Sequence, residues 1–222
     1  GGSDTEKMIP VAAAQELLHF CLLIHDDVID RDYIRYGTEN IAGRYKIAYS
    51  DYVKSPEDLT HYAHSAAILG GDLILSGAHQ LIAASNLDDK EKVIAQGFLA
   101  HSIFEVAGGE LLDTELSFAP YTPGDALKVA RYKTASYSFV SPILTGATLA
   151  GISEQQTEAL NTYAQSLGIA YQLVDDLLGV FGSEENTGKS TSSDITEGKR
   201  TYMIEQALTK ISSTDKEVFD ST

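Results

Sequence analysis

The sequence predicts an all-α protein, and three observations carry that prediction. Apolar residues recur at helical spacing through most of the chain. Alternating β-type runs bounded by hairpin turns are missing. Helix-start signals stand where the apolar patterns begin. In order along the chain, Asp4 can cap a first helix with Pro10 in an early turn, its apolar positions recurring toward Ile34. YGTENIAGRYKIAYSDYVKSPED, residues 36–58, reads as a mixed connection with Gly37, Gly43 and Pro56 as breakers. Long helices are expected at 57–85, 89–117, 124–150, 154–181 and 195–212. Ser153 to Gln156 matches the capping-box pattern, and YTPGDA is a turn with Pro123 near a helix start. Ser183–Asp194 is a loose polar segment. No internal repeat or linker divides the chain, so residues 1–222 are expected to form one domain.

A chain of 222 residues can bury one sizeable core. Its 32 acids against 16 basic residues leave a formal charge of −16. That charge repels nucleic acid and anionic membrane surfaces, and makes a cation the natural counter-charge. Cys21 is the only cysteine, which suits a reducing, cytoplasmic compartment. No signal peptide is evident, and no apolar run approaches the roughly 18 residues of a membrane span. The sequence starts without Met and stops at VFDST, so a fragment of a longer protein is expected.

The chemistry-bearing feature is CLLIHDDVID, residues 21–30, where an apolar run leads into Asp26, Asp27 and Asp30. On a helix these acids stand three and four apart and converge on one stretch of surface. A second pair, Asp175 and Asp176, lies inside the apolar run of YQLVDDLLGVFG. Asp88-Asp89 is a useful contrast: it precedes Lys90, Glu91 and Lys92 and reads as an ordinary helix start. Clustered acids can be a solvated helix end, a pH-tuned pair or a cation site. Five acids in two clusters fit Mg²⁺, which takes one or two carboxylates plus substrate phosphates, better than an acid/base dyad. Arg131, Lys133, Lys189, Lys199 and Arg200 are the candidate phosphate-binding cations, with Lys189 in a Gly/Ser/Thr-rich loop that reads as a closing lid.

LLHFCLLIHDDVIDRDYIRYG and YQLVDDLLGVFG with TGKSTSSDITEGKRT resemble the two aspartate-rich regions of trans-isoprenyl diphosphate synthases, the polyprenyl synthetases. RYKTASYSFVSPILTGATLAG resembles the Lys-Thr helix between them, and the order is kept over essentially the whole chain. The resemblance implies an isoprenoid-synthase-type helical bundle with a central cavity, a homodimer, and a chain without the family's N-terminal helices and C-terminal end. It also implies condensation of isopentenyl diphosphate with an allylic diphosphate (dimethylallyl, geranyl or farnesyl). Asp26, Asp27, Asp30, Asp175 and Asp176 would hold about three Mg²⁺ ions with the diphosphate. Arg35, Lys133 and Lys199 match cations that grip that diphosphate, and Lys189 matches the lid lysine. Thr134 and Gln172 match groups near the developing allylic cation, and His19 matches the isopentenyl diphosphate pocket. Cys21 and Leu22, with Phe20 one position further back, match the residues that set product length. Their non-aromatic pair favours geranylgeranyl diphosphate.

Four features depart from the family pattern. The Gly-Lys-Arg segment has no counterpart, Tyr36 stands where a second Arg usually follows, Gly179 replaces a third acid, and residues 37–56 diverge. Tyr36 and Gly179 keep open a regulatory subunit of a heteromeric synthase. His25-Asp26, with His61, His64, His79 and His101, could instead suit an HD-type metal-dependent phosphohydrolase. That reading leaves Asp175-Asp176 and the lysine loop without a role. GSEENTGKS has five residues between its glycines where a P-loop requires four, and a class I terpene cyclase would need a different second motif.

Overall fold

Helix covers most of the residues described, which are 5–118, 122, 124–182, 199 and 201–212 of a computed structural model, and the fold is all-α. The elements are α1 (Thr5–Ile29), β1 (Ile34–Arg35), β2 (Thr38–Glu39), α2 (Ile41–Tyr49), α3 (Pro56–Ala83) and α4 (Asp89–Leu116). After them come α5 (Asp125–Val129), a π-helical segment (Ala130–Val140), α6 (Ser141–Leu149), α7 (Glu154–Phe181) and α8 (Tyr202–Leu208). Asp4, Pro123, Lys189, Arg200 and the segment 183–194 lie outside the described residues.

The caps expected at 88–91 and 153–156 are formed. Asp88 and Glu91 exchange backbone–carboxylate bonds of 2.8 Å at the start of α4. At the start of α7, Ser153 N donates to Gln156 Oε1 at 3.0 Å while Gln156 N donates to Ser153 Oγ at 3.3 Å. Ser55 caps α3, with Pro56 at the first helical position.

Five expectations change. The helix expected over 124–150 is α5, the π-helical segment and α6 in succession. The one expected over 195–212 is α8, which Thr201 caps and which ends at Leu208. The other three lie near the start of the chain. The first helix stops at Ile29 instead of running toward Ile34. Arg31 adopts a left-handed φ of 60°, and Arg31 N and Asp32 N donate to the carbonyls of Val28 and Asp27. This is a Schellman closure, which ends a helix whatever apolar residues follow. Next, the chain forms a two-residue antiparallel ladder, Ile34↔Glu39 and Arg35↔Thr38, a hairpin too short to show as alternation. Finally, residues 41–49 inside the supposed connection are helical. Asn40 caps them through Gly43 N, and Gly43 is no breaker: a Cβ there would collide with the Tyr33 carbonyl oxygen.

The chain divides into two compact units, Gly1–Ile103 with Ser141–Asn161, and Phe104–Val140 with Thr162–Thr222. In the first, α1 and α3 pack along one another. Ala42, Ala63 and Ala67 form a buried cluster against Ile24, Val28, Tyr33 and Ile41. By length and composition α1 and α3 could each cross a membrane; scattered polar residues hid this from a search for unbroken apolar runs. In the second unit, Val106, Leu116, Ala126, Ala130, Ala135 and Ala164 are buried. The Glu205 carboxylate of α8 accepts from Gly124 N just before α5.

Candidate functional site

The first cluster of site residues grows out of the closure of α1. Asp27 gives its carbonyl to the helix end and keeps its side chain buried, with 5% of its surface exposed. Asp26 and Asp30 beside it are half-buried. A buried carboxylate needs a partner, and Arg35 supplies it. Its Nε donates to Asp27 Oδ1 at 2.8 Å, and its Nη2 reaches Asp27 Oδ1 at 2.6 Å and Asp26 Oδ2 at 3.2 Å. The hairpin aims Arg35 back at the helix end: Tyr36 and Gly37 turn the chain with φ of 51° and 72°. Burial acts to lower the Arg35 pKa, but the hydrogen bond to Asp27 and the charges of Asp27 and Asp26 outweigh it and raise the value. Tyr36, the departure from the family pattern, is exposed on that turn.

His25 faces another way. Its Nε2 donates to the Ile68 carbonyl at 3.2 Å and lies 3.7 Å from Asp72. Gly71 makes the room, since a Cβ there would come within 2.6 Å of the imidazole Cδ2. His64 pairs with Tyr33 and His79 with Gln96. Three of the five phosphohydrolase candidates, His25, His64 and His79, are thus engaged in side-chain contacts with neighbouring residues. Of the remaining α1 residues, His19 and Leu22 are half-buried, Phe20 is 54% exposed and Cys21 is 1% exposed. Burial, then the charge of Asp72, pushes the Cys21 thiol up to about 11.

In the second unit the π segment carries Lys133 and Thr134. Lys133 Nζ lies 2.6 Å from Asp113 Oδ2 and 2.9 Å from Glu110 Oε2, both on α4. Thr134 Oγ1 donates to Gln172 Oε1, whose Nε2 donates to Asp176 Oδ1 at 2.8 Å. Four expected residues thus fall into two small networks. Asp175 is exposed beside them, and Lys199 is half-buried. Glu110 and Asp113 are functional candidates that the sequence reading passed over. Their only signal is an i, i+3 acid pair directly after Gly108-Gly109.

Among the described residues, no three His, Cys, Asp or Glu groups are arranged to hold a metal ion by themselves. A hard cation of the Mg²⁺ kind does not require such a cage, because phosphate and water complete its shell. The donors at the end of α1 are all carboxylate oxygens, already holding a cationic guanidinium, and they fit that chemistry.

Comparison with known proteins gives a consistent result. The family model for polyprenyl synthetases matches residues 2–222. A short chain isoprenyl diphosphate synthase of Methanocaldococcus jannaschii is 33% identical over 205 residues, covering 92% of this chain and 57% of that protein. A geranylgeranyl diphosphate synthase of Methanosarcina mazei is 31% identical over 210 residues, covering 94% of this chain and 59% of that one. The crystal structure of geranylgeranyl pyrophosphate synthase from Corynebacterium glutamicum, complexed with isoprenyl diphosphate and magnesium, superposes with a TM-score of 0.89 at 35% identity. It covers 98% of this chain and 62% of that chain. The chain spans about three fifths of the length of these relatives.

Proposed function

Because the chain belongs to the polyprenyl synthetase family, we propose that it acts as a trans-prenyltransferase condensing isopentenyl diphosphate with an allylic diphosphate to give a longer all-trans prenyl diphosphate. The observation that carries this reading is the charge balance at the end of α1. Three carboxylates stand within one helical turn, and one guanidinium serves two of them.

Asp26, Asp27, Asp30, Asp175 and Asp176 would hold Mg²⁺, which supplies positive charge to a diphosphate leaving as an anion. Arg35, Lys133 and Lys199 bind the diphosphate oxygens, and Lys189 closes over them. The allylic C–O bond then breaks with its electron pair going to the diphosphate, a step favoured by fixed positive charge in a site that excludes water. The oxygens of Thr134 and Gln172 stand near the carbon that becomes positive. The double bond of isopentenyl diphosphate attacks that carbon, and loss of a proton completes a chain longer by five carbons. His19 belongs to the isopentenyl diphosphate pocket.

Phe20, Cys21 and Leu22 bound the tail, and geranylgeranyl diphosphate is the product we favour, as the name of the M. mazei relative suggests. The same reading carries one synthase domain over residues 1–222, about three Mg²⁺ ions, a homodimer and a cytoplasmic location. To test it, the full-length protein is incubated with isopentenyl diphosphate and each allylic primer, with Mg²⁺ or with chelator, and the products are weighed by mass spectrometry. Elongation that needs Mg²⁺ is expected. A folded sample that extends no primer would sink the proposal.

A further inference from the structure

The segment that presents Lys133 and Thr134 is π-helical for eleven residues, Ala130–Val140. π-Helix is rare, occurs mostly as single turns and concentrates at functional sites. Here two glycines cut its seat. A Cβ on Gly109 of α4 would strike the Lys133 backbone nitrogen, and would lie 2.6 Å from the Tyr132 carbonyl carbon and 2.8 Å from Lys133 Cα. A Cβ on Gly168 of α7 would lie 2.5 Å from Ala135 Cβ and 2.6 Å from Ala135 Cα. Neither obstacle is a flexible side chain, so in both places the π backbone itself would have to move.

The notches also stand one turn from the residues that hold the two side chains. Gly109 adjoins Glu110 and lies four before Asp113, and both of these acids grip Lys133. Gly168 lies four before Gln172, which accepts from Thr134. Residues four apart share a helix face. Each glycine therefore sits on the face of its helix that carries the polar contact. Gly108 provides the control within the same helix, since a Cβ there meets nothing within 4 Å.

We propose that Gly109 and Gly168 are positioning residues: they admit the π backbone to contact distance on α4 and α7, and so set where the Lys133 ammonium and the Thr134 hydroxyl stand. The inference rests on the roles given to Lys133 and Thr134 above. A displacement of about 1 Å in such a group is enough to cost on the order of 100-fold in rate.

The test compares Gly108→Ala, Gly109→Ala and Gly168→Ala in the full-length protein. Steady-state elongation of farnesyl diphosphate is measured, together with calorimetric affinity for farnesyl thiolodiphosphate, an analogue that binds without ionising. Circular dichroism checks the fold. Gly109→Ala should raise the KM for the allylic diphosphate and weaken the analogue at least about tenfold, with kcat/KM down on the order of 100-fold. Gly168→Ala should lower kcat about tenfold with analogue affinity nearly unchanged, because it moves the Thr134 side of the seat. Gly108→Ala should match the wild type in both. Wild-type kinetics and affinity in Gly109→Ala and Gly168→Ala would overturn the proposal, and so would loss of the fold in both, which would make the glycines purely structural. A wild type that binds the analogue but extends no primer would count against the activity, while the affinity series would still read the seat.

Discussion

The end of α1 and the face of α4 beside the π segment each set one cation against two carboxylates, with the roles of the charges exchanged. At the first, Asp26, Asp27 and Asp30 gather on one turn, and the guanidinium of Arg35 forks across two of them. At the second, the ammonium of Lys133 stands between Glu110 and Asp113. The difference follows from the cations. A guanidinium is planar and presents several donors in a fixed fork, so one arginine on a short hairpin can bridge two carboxylates. An ammonium on a four-carbon stem is a flexible point charge, and two acids restrict where it settles. At the end of α1 the acids are the fixed element and the cation comes to them. On α4 the acids serve to place the cation.

If that contrast is right, deleting an acid has unequal consequences at the two places. The largest effect belongs to Asp27→Ala, which removes a buried carboxylate assigned to metal and diphosphate. Elongation should fall at least about 10³-fold while far-ultraviolet circular dichroism keeps its helical amplitude, and retained turnover would break the comparison at its stronger side. Next comes the α4 side. Lys133→Met should lower kcat/KM on the order of 100-fold, whereas Asp113→Asn leaves Glu110 in place and should change it by no more than about fivefold, as for one partly exposed ion pair. Equal losses in Lys133→Met and Asp113→Asn would show that Asp113 does more than hold the lysine.

The contrast also explains what the sequence disclosed. Asp26, Asp27 and Asp30 stood out because acids seldom end an apolar run. Glu110 and Asp113 look like any solvated pair on an amphipathic helix, since their partner lies 20 residues or more along the chain. The long helices were legible from period and capping boxes, with α7 predicted at its observed bounds. Residues 41–49 were not, because Gly43 reads as a breaker when its real cause is the nearby Tyr33 carbonyl. The π segment was equally hidden, since an apolar pattern over eleven residues does not distinguish a wider coil from an α-helix.

The smallest effect sharpens the account of the helix that carries the first acids. Cys21 has its thiol pushed from the ordinary 9.0 to about 11, first by burial and then by Asp72. The neutral form is therefore the folded one. Any stability it contributes is complete below about pH 9 and is lost as pH rises through about 11. At pH 8 the thiolate fraction is on the order of 100-fold below that of a free cysteine. Iodoacetamide should accordingly label Cys21 slowly in the native protein and promptly in denaturant; prompt labelling of native protein would show that α1 opens readily.

The arginine fork has a further consequence in the time domain. Arg35 is eight residues from Asp27 and nine from Asp26, whereas Thr134 and Gln172 are 38 residues apart. Closing a short loop costs less chain entropy than closing a long one, and contacts of low sequence separation are reached sooner. A nascent or partly refolded chain can therefore bring guanidinium and carboxylates together while Thr134 and Gln172 are still apart. The order in which the two places mature is written into their spacing along the polypeptide.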